Sequence, residues 1–474
     1  MRTRFFCCFL TLGILAAGLS ARGEEKAPAD PNAPVSYFRD VLPIFRKNNC
    51  TGCHQPAKKG GEYVMTDFVA LLKGGETGEA AIVPGKPAES YLVAQITPTG
   101  GKADMPKDGP PLTAEQIALV AKWIEQGAKD DTPMSNRPQY DAEHPPVYLA
   151  APVLRSLEYS PDGSLIAVAG YHEVLLHKAD GSGIAARLVG QSERIESAAF
   201  SADGKRLAVT GGSPGRFGEI QIWDLEKREM TLSLMVGYDT LYGASWAPSG
   251  KYVAFGCPDN TTRAIDPDTG KQVLFSGAHN DWVLDTVFSV QSDHLISVSR
   301  DMSMKLVEVA TQRFIDNITS ITPGALKGGL ICLDRHPTKD ELLCGGSDGA
   351  PKVFKMVRTT ARQIGDNANL LKEYAAMPGR VYGVAFSNDG SKIAAGSSSD
   401  GVGHVWVYNA ADGAVLWKTE VPEGGIYTVD FSPDGSTMVC GGFDGDIRLL
   451  KTSDGSLLKR FTPVEITPST VAAK

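Results

Sequence analysis

Two cysteines and a histidine at short spacing are the residues of this chain best suited to chemistry. They lie in the sequence Cys50-Thr51-Gly52-Cys53-His54. Two thiols three positions apart can reach the two vinyl groups of one porphyrin and form thioethers, and the imidazole of the next residue can ligate the iron. The pattern therefore predicts one covalent haem c, attached through Cys50 and Cys53, with His54 as an axial ligand of the iron.

A methionine in a later loop is the predicted second axial ligand. Met105 follows His54 by 51 residues (105 − 54) and lies in a loop before the last predicted helix. A thioether ligand stabilises reduced iron and raises its reduction potential. Met65 is nearer in sequence, but its short loop would have to cross to the distal face of the haem. Three alternatives remain: Met65 or another residue as the sixth ligand, no sixth protein ligand, and a Met105 that only fills the core.

The N-terminus has the features of an export signal. Arg2 and Arg4 precede a largely apolar stretch over residues 5–19, and small residues follow up to Gly23. This pattern predicts a signal peptide over residues 1–23, cleaved on export, with a retained N-terminal anchor as the alternative. Haem c is attached outside the cytoplasm, so we expect a periplasmic or otherwise extracytoplasmic protein. No later stretch reaches about 18 unbroken apolar residues, so stable membrane insertion is not expected.

Composition indicates an acidic globular protein of two domains. The chain has 474 residues and a net charge of −8, and removal of residues 1–23 takes away three arginines and no acid, which gives −11. An acidic chain without a basic cluster argues against nucleic acid as a partner. Of the eight cysteines, Cys7 and Cys8 lie in residues 1–23, so the mature chain would keep four beyond the haem pair, namely Cys257, Cys332, Cys344 and Cys440. We expect buried thiols at these positions, with a Cys332–Cys344 disulfide as the alternative.

The segment that follows the signal, residues 24–130, predicts a small all-α domain. Residues 24–35 are polar and read as a flexible leader, and residues 36–130 contain several short amphipathic patterns. The clearest helix begins at Thr113, which forms a capping-box pattern with Gln116, and ends at Gly127. A helical wrap of this length would enclose one haem in surroundings of low polarity.

Residues 36–130 resemble the planctomycete-type cytochrome c family. The matching segments are residues 38–44, 50–54, 60–61, 70–75, 82–87, 105–106 and 123–128. The resemblance implies covalent haem c through Cys50 and Cys53, His54 as the proximal ligand and Met105 as the distal ligand. Members of the family often have a second proline after the Met-Pro pair, where this chain has Lys107.

The rest of the chain, from about residue 151, is a repeat array. A turn of the type Ser160-Pro161-Asp162-Gly163, preceded by an aromatic residue and followed by an apolar strand, recurs in full or degenerate form. The Asp position of this turn falls at residues 162, 203, 249, 291, 338, 389 and 434. Seven units of four strands predict an all-β seven-bladed propeller over residues 151–462, after a linker at 131–150 and before a polar tail at 463–474.

The units of this array resemble WD repeats, although the match is loose. Trp223-Asp224 is the one Trp-Asp pair in the expected place, and the Gly-His element is mostly absent. The histidines of the array are His172, His177, His279, His294, His336 and His404. None of them has the spacing to Cys, Asp or Glu that a metal site needs, so structural roles are expected.

Three functions are compatible with these features. The first is an exported monohaem electron-transfer protein, not an enzyme, whose propeller face docks a redox or scaffold protein partner. The second is a haem-based redox or ligand sensor that acts as an interaction scaffold. The third is a haem enzyme with a second cofactor in the propeller.

Overall fold

The computed structural model describes residues 33–55, 58–66, 68–107, 109–132, 140–320, 327–361, 363 and 365–467. The expected signal peptide at 1–23, with Cys7 and Cys8, lies outside the described residues. Most of the leader, part of the linker and the end of the tail lie outside them as well. Among the helices that are described, none has the length and apolar character needed to cross a membrane.

Residues 33–132, here called the helical region, contain five short α-helices. They are α1 (Leu42–Lys47), α2 (Cys50–Cys53), α3 (Phe68–Lys73), α4 (Tyr91–Ile96) and α5 (Ala114–Glu125). A π-helical turn at Tyr37–Val41 and 3₁₀ turns at Gly60–Glu62 and Pro87–Glu89 complete it. The capping box is confirmed, since Thr113 accepts from the Gln116 amide at 3.3 Å and the Gln116 side chain accepts from the Thr113 amide at 2.9 Å.

The expectation of an all-α first domain needs one correction. The chain leaving α2 forms strand β1 (His54–Gln55), which pairs antiparallel with β2 (Lys58–Lys59). This pairing satisfies backbone groups of the two short strands. Strands of two residues are too short for an apolar periodicity, which is why sequence patterns did not predict them.

One apolar core holds the helical region together. Trp123 of α5 is 1% exposed, its ring stacks on Tyr37 at a centroid distance of 5.2 Å, and its Nε1 atom donates to the Lys129 carbonyl at 3.0 Å. Phe68 of α3 meets the Tyr37 ring edge-on at 4.9 Å. Burial of such aromatic side chains is the main source of stability in a region this small. The core gives α2 a rigid support.

Between residues 157 and 461, here called the strand array, the regular secondary structure of the described residues is β-strand. Its first sheet contains β3 (Leu157–Tyr159), β4 (Leu165–Ala169), β5 (Tyr171–Lys178), β6 (Ile184–Phe200), β7 (Arg206–Ser213), β8 (Phe217–Asp224) and β9 (Glu229–Met235). Five four-stranded sheets follow. They are β10 (Tyr242–Trp246) to β13 (Gln272–Ser276), β14 (Val283–Phe288) to β17 (Phe314–Asn317), β18 (Leu330–Arg335) to β21 (Leu370–Glu373), β22 (Arg380–Phe386) to β25 (Val415–Val421), and β26 (Ile426–Phe431) to β29 (Leu457–Phe461).

The inner members of these five sheets are β11 (Val253–Gly256), β12 (Thr262–Ile265), β15 (His294–Ser299), β16 (Met304–Glu308), β19 (Glu341–Gly346), β20 (Lys352–Lys355), β23 (Lys392–Ser399), β24 (Val402–Asn409), β27 (Thr437–Gly442) and β28 (Ile447–Lys451). Neighbouring strands in each sheet are antiparallel and follow chain order. The alternating apolar patterns and the tight turns between them produce this meander.

The first two repeat units are joined, where the sequence predicts separate units. Strand β6 is 17 residues long and pairs with β5 through residues 184–189 and Arg194, and with β7 through residues 194–200. Arg194 pairs with both Tyr171 of β5 and Gly212 of β7, so one strand serves both units and a seven-stranded sheet results. Among the described residues, no sheet closes on itself through hydrogen bonds.

The first strand of each unit packs against the first strand of the next. These contacts run from β3 through β6, β10, β14, β18 and β22 to β26, and β26 in turn packs against β3. The Leu154 amide donates to the Gly442 carbonyl at 2.9 Å, and Tyr148 forms a parallel bridge with Ile466. The segment before β3 thus contacts both β27 and the residues that follow β29.

The repeated turns have the chemistry that the sequence predicts. Asp162 accepts from the Ser160 hydroxyl at 2.6 Å and from the Ser164 amide at 3.0 Å, and Gly163 adopts a φ of 71°. Equivalent hydroxyl-to-carboxylate bonds are made by Ser201 to Asp203, Ser387 to Asp389 and Ser432 to Asp434. A side chain with Cβ would strain the left-handed backbone at the glycine.

A histidine of the strand array has a structural role, as expected. The His279 ring lies between Asp301, 2.9 Å from Nδ1, and the Ser297 hydroxyl, 2.8 Å from Nε2. Other units replace this arrangement by an ion pair between an Asp and the basic residue four positions later. These pairs are Asp259–Arg263, Asp348–Lys352 and Asp444–Arg448. The replacement explains why the Gly-His element is scarce in the sequence.

The alternative of a Cys332–Cys344 disulfide is wrong. In the register of β18 with β19, Cys332 faces Gly345 and Cys344 faces Leu333. The two side chains consequently project to opposite faces of the sheet and pack into different apolar clusters. All four cysteines of the array are buried free thiols, and burial raises the pKa of Cys257, Cys344 and Cys440 to about 12.

Candidate functional site

Helix α2 presents the two candidate haem-binding thiols within one turn. Cys50 is half-buried and Cys53 is exposed, and neither forms a disulfide. The helix begins after Asn49, which adopts a left-handed φ of 54°. An added Cβ at Gly52 would meet the Asn49 Oδ1 atom, so a larger residue at position 52 would require the Asn49 side chain to move. Sequence analysis missed Asn49, although asparagine is among the residues that most often adopt this left-handed conformation.

His54 follows directly at the C-terminal end of α2. Its buried Nδ1 atom makes no hydrogen bond with any described residue. Burial lowers the pKa of the imidazole, and the backbone carbonyl groups of Gly60 and Tyr63 oppose part of this effect. A neutral imidazole with an unused nitrogen is the form that ligates a metal ion.

The two candidate methionines have different surroundings. Met65 is 2% exposed, and its backbone amide donates to the His54 carbonyl at 2.7 Å. Met105 is half-buried, and its amide donates to the Gln95 carbonyl at 2.9 Å. Met105 and Cys50 both pack against the core of the helical region. Met65 is thus a full member of the core, whereas the thioether of Met105 lies at its edge.

The residues present fit a covalently held haem. Two free thiols lie one helical turn apart, and burial raises the pKa of Cys50 to about 11, so this thiol is protonated at neutral pH. The adjoining imidazole has a buried nitrogen without a hydrogen bond. An apolar core lies next to both. In the part of the chain that the structure describes, no three His, Cys, Asp or Glu side chains converge on a metal-ion site.

The helical region contacts the strand array next to this site. Helix α2 packs against β9, the outermost strand of the first sheet. Burial lowers the pKa of Arg46, while electrostatic interaction with Tyr37 and with the buried Glu219 of β8 raises it. Glu219 pairs in register with Met235 of β9, so α1 and α2 lie near this end of the strand. The candidate haem site is therefore close to the array.

A cavity of about 200 Å³ lies where the first strands of the units begin. Its lining includes Arg155, Glu196, Tyr242, Asp285, Tyr382 and Tyr427. Arg155 pairs with Glu196 at 3.0 Å, and its guanidinium lies 5.5 Å from the centroid of the Tyr427 ring. Tyrosine and arginine are the residue types enriched in the energetically important parts of protein interfaces.

Four half-buried acidic residues connect the first strands of neighbouring units. Asp430 accepts from the Tyr159 amide at 2.7 Å, and Asp285 accepts from the Leu333 amide at 2.8 Å. In the same way Asp334 accepts from the Phe386 amide at 2.7 Å, and Glu158 accepts from the Phe200 amide at 3.3 Å. Burial is the largest effect on all four and raises each pKa, to about 7 for Asp285 and Asp430. Sequence analysis missed these residues, because an isolated acid in a strand has no distinctive spacing.

These carboxyl groups predict a pH-dependent stability of the strand array. The pKa of Asp285 and Asp430 rises from 3.8 to about 7 on folding, so the folded state binds more protons than the unfolded state between these values. Their contribution is therefore fully present below about pH 4 and is lost as the pH rises through about 7. We expect the double variant Asp285→Asn, Asp430→Asn to lack this loss of stability between low and neutral pH. The melting temperature, measured from pH 4 to pH 8, checks it.

Histidines whose pKa is lowered by burial, such as His177, titrate in the same range with the opposite sign. Because the parent and the double variant share them, the informative quantity is the difference between the two melting curves. Asn amides that lack suitable hydrogen-bond partners would shift the melting temperature of the double variant by an amount that does not change with pH. A difference that stays constant from pH 4 to pH 8 would contradict the prediction.

Comparison with known families agrees with both halves of the chain. Residues 50–109 match the family described as Planctomycete cytochrome C. Residues 369–406 and 415–450 match the family described as WD domain, G-beta repeat. The chain thus combines a planctomycete-type cytochrome c domain with WD repeats, and the predominance of sheets in the strand array fits a β-propeller.

Similar proteins are WD-repeat proteins. Eukaryotic translation initiation factor 3 subunit I of Aspergillus fumigatus is 25% identical over 270 residues, which cover 54% of this chain and 66% of that protein. Periodic tryptophan protein 2 of Arabidopsis thaliana is 23% identical over 266 residues, covering 56% of this chain and 28% of that protein. The chain spans less than two thirds of the length of these relatives.

Proposed function

We propose that this chain is an exported monohaem c-type electron-transfer protein whose propeller docks a partner protein. The observation that carries the proposal is α2, where two free thiols lie one turn apart beside an imidazole with an unpartnered buried nitrogen. The match of residues 50–109 to a cytochrome c family supports the same cofactor. In this proposal, residues 36–130 form the haem domain and residues 131–150 the linker to the propeller.

Each residue of the site has a proposed task. Cys50 and Cys53 would hold the haem by thioether bonds, and His54 and Met105 would supply the axial ligands. When bound, the haem supplies one-electron exchange between the ferric and ferrous states. The buried core around Trp123 and Phe45 excludes water on one side of the site, which favours the less charged ferrous form.

The strand array is proposed to form one seven-bladed propeller over residues 151–462. The packing of β26 against β3 supports a ring, and the two pairings of β6 supply the first two blades from one sheet. Blades that touch through their first strands need no hydrogen bonds between sheets. The tyrosines and arginine around the cavity support docking of a redox or scaffold protein at that face. One relative is itself named as a subunit.

Export is part of the proposal and rests on residues 1–23. The chemistry of haem c attachment requires an extracytoplasmic location, and the basic and apolar segments of this stretch have the order of a signal peptide. The mature protein would then begin close to residue 24. Sequencing of its N-terminus after expression in a bacterium that matures haem c would identify the cleavage site.

A visible and near-infrared spectrum of the exported protein, oxidised and reduced, with haem stoichiometry, tests the function. We expect one low-spin haem c per chain and a methionine-to-iron charge-transfer band. A high-spin iron that binds added ligands would favour a sensor instead. A second chromophore would favour an enzyme. A mature protein without covalent haem would refute the proposal.

A further inference from the structure

We propose that Tyr63 is a positioning residue that fixes the orientation of the His54 imidazole. This inference rests on the proposed haem function. The two rings are in contact, with a centroid distance of 5.2 Å and an interplanar angle of 59°. Aromatic pairs at this separation are favourable beyond the area that they bury. Tyr63 comes from the segment after β2, so it approaches His54 from a different part of the chain.

Tyr63 is itself held firmly. Its hydroxyl donates to the Leu71 carbonyl of α3 at 2.8 Å, and its backbone amide donates to the Gly60 carbonyl at 3.3 Å. An added Cβ at Gly75 would lie 3.0 Å from the Tyr63 Cβ atom and would clash with the Gly61 carbonyl oxygen. The absence of a side chain at residue 75 thus makes room for this tyrosine.

The imidazole has backbone groups beside it, since the carbonyl groups of Gly60 and Tyr63 act on its pKa. The ring contact with the Tyr63 side chain restricts its orientation in addition. Packing by Tyr63 therefore adds to the fixing that neighbouring groups often provide for metal-ligating histidines. A ligand held in one orientation loses less entropy on binding iron, and its bond to iron is harder to break by protonation.

Haem-loaded full-length protein carrying Tyr63→Leu tests this role. The thioethers do not involve Tyr63, so haem content should stay at the parental level. We expect protonation to displace His54 from ferric iron at a pH higher by about 0.5 to 1, which corresponds to an iron–histidine bond weaker by about threefold to tenfold. The low-spin ferric electron paramagnetic resonance signal should broaden, because the imidazole would take several orientations. Tyr63→Phe, which keeps the ring, should restore most of both properties.

Tyr91→Leu is the matched control, since Tyr91 is a half-buried tyrosine of α4 in the same region. It should lower the melting temperature without moving the acid transition. A second variant, Tyr63→Met, removes the flat ring but keeps a long apolar side chain, which protects the test if Tyr63→Leu does not fold. The inference would be overturned if Tyr63→Leu and Tyr63→Met lost His54 from ferric iron at the parental pH and kept the narrow electron paramagnetic resonance signal of the parent. A parent protein without covalent haem would instead refute the proposed function.

Discussion

Substitution of both Cys50→Ala and Cys53→Ala is expected to abolish covalent haem and to leave the strand array folded. The two thiols are the residues on α2 that can form thioethers, and the array has its own apolar clusters, distinct from the core of the helical region. Retention of haem after denaturation is measured by pyridine haemochrome absorbance and by mass spectrometry. We expect complete loss of this signal, with the melting transition of the array unchanged.

A matched control is Cys257→Ala with Cys440→Ala, which removes two thiols from the buried interior of the array. This variant should keep full covalent haem and lose stability by about 1 kcal/mol per site, because each change leaves a small gap in a packed sheet. If haem stays covalently bound in the Cys50 and Cys53 variant, the assignment of the attachment site is wrong.

Replacement of Met105 by alanine is the second change with a large expected effect. Loss of a thioether ligand removes the preference for ferrous iron, so the reduction potential should fall by on the order of 100 mV. The open position should bind added imidazole or carbon monoxide. Protein-film voltammetry measures the reduction potential. Loss of the methionine-to-iron band near the red edge of the spectrum reports the open ligand position.

Met65→Leu separates the two candidate methionines. Met65 is 2% exposed in the core, and leucine conserves most of its volume, so this variant should fold and lose less than about 1.5 kcal/mol of stability. It should keep the parental spectrum and potential. An unchanged spectrum in Met105→Ala would exclude Met105 as a ligand, and a changed spectrum in Met65→Leu would assign that role to Met65.

The sequence predicts well those features that depend on neighbours along the chain. The capping box of Thr113 with Gln116 and the turn at Asp162 are made by residues within a few positions of one another, and both are confirmed. Local spacing also identified Cys50, Cys53 and His54 as one unit, since a single helical turn and its cap carry them. Such patterns are readable because short-range geometry is fixed by the backbone.

Features that depend on distant residues were not predictable in the same way. Nothing around Tyr63 marks it as the neighbour of His54, because the contact arises when the segment after β2 folds back onto α2. The carboxyl groups of Asp285 and Asp430 became recognisable only when the first strands of neighbouring units were placed side by side. Their raised pKa comes from burial, and burial is a property of the assembled array.

The sequence by itself therefore determined the local chemistry: a thiol pair with an adjoining imidazole, a methionine in a later loop, and a recurring Asp-Gly turn before apolar strands. Only the tertiary structure decided that β6 spans two units, that Cys332 and Cys344 project to opposite faces, and that Tyr63 packs on His54. The physical reason is the range of the interactions. Hydrogen bonds within a turn are specified by adjacent residues, whereas packing and burial depend on which remote segments come together.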